Sequence, residues 1–359
     1  MMTDAHLTPR AEISWFSALC DDDYRFLGVH DPELKSSWQH CAAITEQADQ
    51  LGYDSILLPS GYQLGIDAIA FAGGISTLTE QIRLLVAVRC GELHAPQLAR
   101  QLATLDQMLR GRLAVNIISS DLPGETLESV PRYQRTRETM IVLRDLLNGK
   151  PVDFRGEFID LALEPPDARC MDGRCPLFYF GGLSEPARQV AAECADVYLM
   201  WPGTLPEVSA IVEDMRRRAD AHERHLRFGY RVHVIVRETE GQAIDAAHAL
   251  LSRLDEKEGA RIRARSLDSQ SIGVRAQGTL RDNSDADGFA EANLWTGIGR
   301  ARSGCGAAIV GDPDQVIEKL NQYMDLGIEA FILSGYPHME EADLFARYVL
   351  PDLNHGLIS

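Results

Sequence analysis

Phe228 to Glu238 reads FGYRVHVIVRE, and the fold turns on how that stretch is taken. Aromatic and β-branched residues dominate from Tyr230 to Val236, and the polar run Arg237-Glu238-Thr239-Glu240-Gly241 ends them, which is the composition of a buried strand. Arg231 and His233 interrupt the apolar run, and a side-chain period of two puts them on one face. A cation beside a titratable ring is costly to bury without a partner or a purpose. One account pairs Arg231 with a core carboxylate and gives His233 a backbone carbonyl. The other makes this strand end part of a reaction site.

Working outward, six more strand-like runs precede this one: Glu12–Leu19, Ser55–Pro59, Ile82–Arg89, Leu113–Ser119, Leu177–Gly182 and Val197–Trp201. Ala330–Gly335 follows it as an eighth. Helical segments separate them, such as Ala95–Arg110 with Leu98, Leu102, Leu105 and Leu109 at helical spacing and Gly111 as the stop. Strands alternating with helices pair in parallel through right-handed crossovers. The expected fold is α/β, a closed (β/α)8 TIM barrel forming one domain over residues 1–359. Two insertions are expected: one before the fifth strand, carrying a small hairpin at Val152–Leu163, and one at about 255–304 between the seventh and eighth. The latter is polar and glycine-punctuated, with Arg281–Gly288 as a loop. A doubly wound sheet fits less well, because no Gly-x-Gly-x-x-Gly follows the first strand.

The net charge is 35 − 53 = −18. That balance argues against nucleic-acid or anionic-membrane partners, which need a basic face. An anionic substrate would have to be held by a local cluster of positive groups. No apolar leader is evident in the polar residues 1–11, and no apolar run reaches the roughly 18 residues of a membrane span. The seven cysteines are scattered without metal-type spacing, as expected of free thiols in a reducing cytoplasm.

In a barrel, function collects at the carboxyl ends of the strands. Those ends carry Asn116 and Ser119 on the fourth strand, Trp201 on the sixth, Arg231 and His233 on the seventh, and Tyr336 and His338 just past the eighth. The fifth runs into Gly181-Gly182-Leu183-Ser184, glycines before a helix cap, where free backbone N–H groups suit a phosphate. Arg231, His233 and His338 are expected to supply positive charge for an anion. These features point to an enzyme of a small anionic substrate with a phosphate-bearing cofactor.

Several ordered segments together resemble the alkanesulfonate monooxygenases of the bacterial luciferase-like flavin group. They are Arg227–Glu238, Tyr179-Phe-Gly-Gly182, Arg281-Asp-Asn283, Asn293-Leu-Trp295, Gly304-x-Gly-x-Ala-x-Val-Gly311 and Leu333-Ser-Gly-Tyr-Pro-His338. The similarity runs from about residue 12 to 350. It implies a two-component monooxygenase. A separate NAD(P)H-dependent flavin reductase supplies FMNH2, O2 is the oxidant, and the C–S bond of a sulfonate breaks to sulfite and an aldehyde. Such barrels assemble as homodimers or homotetramers. The resemblance assigns sulfonate binding and proton handling to Trp201, Arg231, His233, Tyr336 and His338, with Arg302 on a mobile lid within 255–304. It places the FMN phosphate at Gly181, Gly182 and Ser184 near Tyr133, and the flavin ring near Asn116 and Ser119.

The rim departs from that pattern. Pro59-Ser-Gly-Tyr-Gln-Leu-Gly-Ile-Asp67 stands where the family has Pro-Thr-Gly-Arg-Ser-Cys-Glu-Asp, and Cys20-Asp-Asp-Asp-Tyr24 replaces His-Gly-Asp-Gly-His. Tyr62, Gln63 and the acidic residues suit hydroxyls better than an alkyl tail, so the expected substrate is a polyhydroxylated sulfonate, sulfoquinovose foremost. The alternative to the acidic rim is a solvated turn at Asp21–Asp23. The alternatives to the activity are a sulfone-type luciferase-like enzyme and a non-catalytic flavin-binding barrel.

Overall fold

The computed structural model describes residues 10–264 and 271–359. The rest of the polar N-terminal segment and of the long insertion lies outside the described residues. Eight parallel strands close a barrel: β1 (Glu12–Phe16), β2 (Ser55–Leu58), β3 (Arg83–Arg89), β4 (Leu113–Ile118), β5 (Phe178–Phe180), β6 (Val197–Met200), β7 (Arg227–Val236) and β8 (Ile328–Ser334). β7 pairs with both β6 and β8, and β8 returns to β1, so this parallel sheet has no free edge.

Alternation along each strand builds the lumen. Phe16, Leu57, Leu85, Ala114, Tyr179, Val197, Ala330 and Ile332 form one buried cluster, contributed by seven of the eight strands. At the amino end the lumen is plugged by Glu12, which accepts from Ser55 Oγ (2.6 Å), the Tyr179 hydroxyl (3.2 Å) and Arg83 Nη1 (2.9 Å). At the carboxyl end β7 carries Arg231 and His233 instead of apolar residues.

β7 is ten residues long and outruns β6. Its first half pairs with β6, and on its second half a further strand, Ala308–Gly311, adds in parallel at His233–Val236. Ala308–Gly311 thus covers an edge of β7 that would otherwise be open. The hairpin is present as Val152–Arg155 against Asp160–Leu163, with the Glu138 carboxylate accepting from the N–H groups of Glu157, Phe158 and Ile159.

The long insertion is more regular than its polarity suggests. It holds helices Glu256–Ala264 and Ile272–Asp282 and strands Phe289–Glu291 and Leu294–Trp295, so Arg281 and Asp282 close a helix instead of opening a loop. Glu291 anchors it: Lys319 Nζ reaches Oε1 at 2.7 Å, and the N–H of Leu205 donates to the same carboxylate at 3.1 Å. Two other boundaries bear on the site. β1 stops at Phe16, so Ser17–Leu19 belong to the following loop, and the last helix begins at His338 itself (His338–Tyr348).

Candidate active site at the barrel mouth

Arg231 is 3% exposed, and its partners are all neutral. Nη1 donates to the carbonyls of Val232 (2.9 Å) and Ile332 (3.2 Å), and Nη2 to Ser334 Oγ (2.7 Å). Among the described residues no carboxylate bonds it, so the core ion pair of the first account is not what holds it. Burial pulls the guanidinium pKa down from its ordinary value. An arginine starts high enough to keep its charge all the same. Its Cζ lies 4.3 Å from the centroid of Phe16, the last residue of β1.

His233 is fully buried, with Nδ1 2.7 Å from Ser334 Oγ and no partner for Nε2 among the described residues. Burial, reinforced by Arg231, Arg302 and His338, holds its pKa well below the usual histidine value. His338 is likewise fully buried and lowered by burial, with neither ring nitrogen partnered among the described residues. Its ring stacks on Phe16 (6.0 Å between centroids, 18° between planes) and meets Tyr336 edge-on. Both rings are therefore neutral at pH 7, contrary to the expectation that they supply positive charge. The cations of the site are Arg231 and Arg302.

Arg302 comes from the insertion. Its Nη1 donates to Asp22 Oδ2 at 2.5 Å and to the Tyr336 hydroxyl at 2.6 Å, and its Cζ lies 5.5 Å from the Phe16 centroid. Two guanidinium groups from distant parts of the chain thus meet over one phenyl ring. Because the phenol of Tyr336 accepts from Arg302, its own proton remains to donate, and burial raises its pKa so that it stays protonated.

The acidic turn after β1 is built into this arrangement and is not a solvated excursion. Asp21 accepts from the Ser36 N–H (2.8 Å), Asp22 holds Arg302, and Asp23 accepts from the His338 N–H (3.0 Å) with His40 Nε2 2.8 Å away. Asp22 and Asp23, which the sequence offered either as a rim for substrate hydroxyls or as a solvated turn, instead hold Arg302 and the His338 N–H, and Ser334 and Phe16 are site residues that sequence reasoning did not single out. The only cue was position, since each sits within a few residues of a strand's carboxyl end. Arg89, 5% exposed at the end of β3, is neutralised by its neighbour, its Nε 3.0 Å from Glu92.

Trp201 follows β6 and lies under the insertion. A Cβ on Gly273 would stand 2.9 Å from its ring, and one on Gly304 3.0 Å, so both glycines allow the backbone to press onto the indole. Gln277 pins the same helix, donating to the Pro202 carbonyl (2.6 Å) and accepting from the Gly306 N–H (3.1 Å).

Across the barrel, Asn116 is a half-buried residue at an inward position of β4, opposite Ala87 and Tyr179. The Ser119 hydroxyl beyond it is buried with no partner among the described residues. Past β5, a Cβ on Gly181 would stand 1.8 Å from the Leu199 carbonyl oxygen, and one on Gly182, at φ +150°, 3.3 Å from the Tyr133 hydroxyl. Ser184 caps helix Glu185–Cys194, its Oγ accepting from the Ala187 N–H at 3.4 Å. Tyr133 packs edge-on against Phe180, with the Arg132 guanidinium 5.5 Å from its ring. This cradle has no room for side chains and is lined by hydroxyls, N–H groups and a cation, which suits a phosphate.

Tyr62 and Gln63 stand apart, Tyr62 at 69% exposed and Gln63 exposed beside it. The loop is tied to the first strand's exit further on, where Gly65, at φ +74°, presses its backbone on Leu19, whose carbonyl accepts from the Ile66 N–H at 3.1 Å.

Comparison with known proteins bears on this geometry. Residues 25–330 match the family described as luciferase-like monooxygenase. The chain belongs to that family. As a luciferase-like monooxygenase it is an enzyme, and close relatives share nearly its whole length. A sulfoquinovose monooxygenase from Novosphingobium aromaticivorans is 60% identical over 96% of this chain and 97% of its own. One from Agrobacterium fabrum is 48% identical over 96% and 90%. Among solved structures, a riboflavin lyase with modified FMN and riboflavin superposes with a TM-score of 0.77 at 15% identity, over 95% of this chain and 91% of its own. At that identity the likeness concerns the fold. Among the described residues no helix is long and apolar enough to cross a membrane, and the seven cysteines are free thiols.

Proposed function

We propose that this luciferase-like monooxygenase desulfonates a sulfo-sugar, sulfoquinovose in the first place, using FMNH2 and O2 and releasing sulfite and an aldehyde. The observation that carries this reading is the convergence of Arg231 and Arg302 over Phe16 at the barrel mouth. Its support in sequence is the name shared by the two relatives at 60% and 48% identity. In the overall reaction one oxygen atom of O2 ends in the aldehyde and the other in water.

Gly181, Gly182, Ser184 and Tyr133 would hold the FMN phosphate, with Asn116 and Ser119 toward the ring. Reduced FMN, when bound, supplies the oxygen-activating chemistry. The chain's own residues do the rest. Arg231 and Arg302 hold sulfonate oxygens, which suit the guanidinium fork. The free O–H of Tyr336 donates to developing negative charge. His233 and His338, neutral and buried, are the candidates for proton handling, by accepting a proton or by donating a hydrogen bond. Trp201 and the insertion exclude water, and the insertion acts as a lid that delivers Arg302. A separate NAD(P)H-dependent reductase provides the flavin, and the protein works as a homodimer or homotetramer.

The test is sulfite release in the presence of FMN, NADH, a flavin reductase and O2, with sulfoquinovose, methanesulfonate and octanesulfonate offered separately. Sulfite from the sugar alone supports the reading. Good turnover of octanesulfonate with none of the sugar overturns the substrate. No sulfite from any of the three, with reduced FMN bound, favours a sulfone-type activity.

A further inference from the structure

Ser334 Oγ lies 2.7 Å from Arg231 Nη2 and 2.7 Å from His233 Nδ1, and all three residues are buried. A guanidinium has only donors, so Oγ accepts from Arg231. Oγ has a second lone pair that could take an Nδ1–H, but its own buried proton would then have no acceptor among the described residues, so the arrangement that satisfies every group has the hydroxyl donating to a bare Nδ1. A neutral imidazole carries one N–H, so it is on Nε2, the atom left without a partner among the described residues. Parallel register sets this up: Ser334 stands opposite His233, and Ile332, whose carbonyl takes Arg231 Nη1, opposite Arg231.

We propose that Ser334 is a positioning residue: its one hydroxyl fixes His233 as the Nε2–H tautomer and holds the Arg231 fork beside it. His233 therefore enters the reaction as a neutral hydrogen-bond donor at Nε2, not as a base at that atom. The groups around the ring all suit a neutral donor. They are Arg231 on the same strand, Arg302 and Cys305 from the insertion, and Tyr336 (5.1 Å between ring centroids) and His338 beyond β8. A hydroxyl is required at this position because alanine leaves Arg231 Nη2 and Nδ1 unpaired in the interior. The proposal rests on the reading of Arg231 and His233 as working residues of the sulfonate site.

The test uses the full-length protein and the variants Ser334→Ala and Ser334→Thr. In [15N]histidine-labelled enzyme, long-range 1H–15N spectra give separate patterns for the Nε2–H and Nδ1–H tautomers, and the His233 signals are those lost in His233→Gln. The wild type and S334T are expected to show Nε2–H, and S334A an averaged or Nδ1–H pattern. In the sulfite assay S334A should lose kcat by roughly 100-fold, the size of one misdirected hydrogen-bond donor to developing charge, with a displaced pH profile, while S334T recovers most of it. Should S334A fail to fold, Ser334→Cys, a weak donor of similar size, is expected to show the same tautomer loss. An Nδ1–H pattern in the wild type, or an unchanged tautomer and pH profile in S334A, overturns the proposal. If the wild type releases no sulfite but the tautomer still follows Ser334, the assignment of Ser334 holds and the sulfonate reading fails.

Discussion

Arg302 Nη1 lies 2.5 Å from Asp22 Oδ2, so the cation that the insertion brings to the barrel mouth already holds an anion of its own. Both side chains are largely shielded, at 19% and 13% exposed, and Asp22 Oδ1 is buried with no partner among the described residues. A sulfonate reaching Arg302 meets a resident competitor. Asp22→Asn keeps the shape and removes the charge, and it should lower KM for the sulfonate several-fold, the equivalent of about 1 kcal/mol. Steady-state sulfite release measures it, and a raised KM would mean that Asp22 mainly holds Arg302 in place.

Arg231 is a buried cation whose hydrogen bonds all go to neutral groups. Such a charge costs stability, and an apolar residue of similar volume often recovers it. Arg231→Met should raise Tm by a few degrees while lowering kcat/KM by at least about 100-fold. Arg231→Lys should stay close to the Met variant in activity, because a point charge cannot serve three acceptors at once. Differential scanning calorimetry and the sulfite assay together check it.

His233 and His338 both have folded-state pKa values below the ordinary 6.5. The folded protein thus binds fewer protons than the unfolded chain below that point. The stability they contribute is complete above about pH 6.5 and is lost as pH falls, not as it rises. Replacing either by Gln should flatten the acid limb by up to about 1.4 kcal/mol per pH unit, read from urea unfolding between pH 5 and 7.

The Tyr133 hydroxyl faces the Gly182 backbone, where a Cβ would come within 3.3 Å of it. Tyr133→Phe should weaken binding of reduced FMN roughly tenfold, one hydrogen bond to a charged group, and leave the melting temperature nearly unchanged. Gly182→Ala should weaken it further, since the added methyl also meets Ala187 Cβ at 2.7 Å. Quenching of protein fluorescence on anaerobic titration measures both.

Gln277 joins the insertion to the strand ends through Pro202 and Gly306. Gln277→Leu should loosen that contact. Amide exchange over Ile272–Asp282 is expected to quicken several-fold without a matching loss of global stability.

Much of the barrel was legible because its strands are short apolar runs between segments of helical spacing, and both periods are written in the chain itself. Arg231 and His233 stood out for the same reason: they break an apolar run on one face. Asp22 and Asp23 stood out only as an acidic rim for hydroxyls or a solvated turn, since nothing local says that the loop after β1 delivers them to Arg302 and the His338 N–H. The insertion's order was harder to read, and Arg281 was expected in a loop where it ends a helix, because the helices there are polar. Their burial is against Trp201 and Gly299–Gly306, contacts with no local periodicity. Tyr62 and Gln63 were read toward the substrate from residue type alone, and both are exposed.

The sequence by itself determined the alternation of strand and helix, the closure it implies and the set of polar residues at the strand ends, because these depend on local pattern. Only the tertiary structure decided that Phe16 would carry two guanidinium groups, that both histidines would be neutral, and that one serine proton would orient His233. Those outcomes depend on register between strands about a hundred residues apart in the chain, and on a desolvation that no single segment can impose.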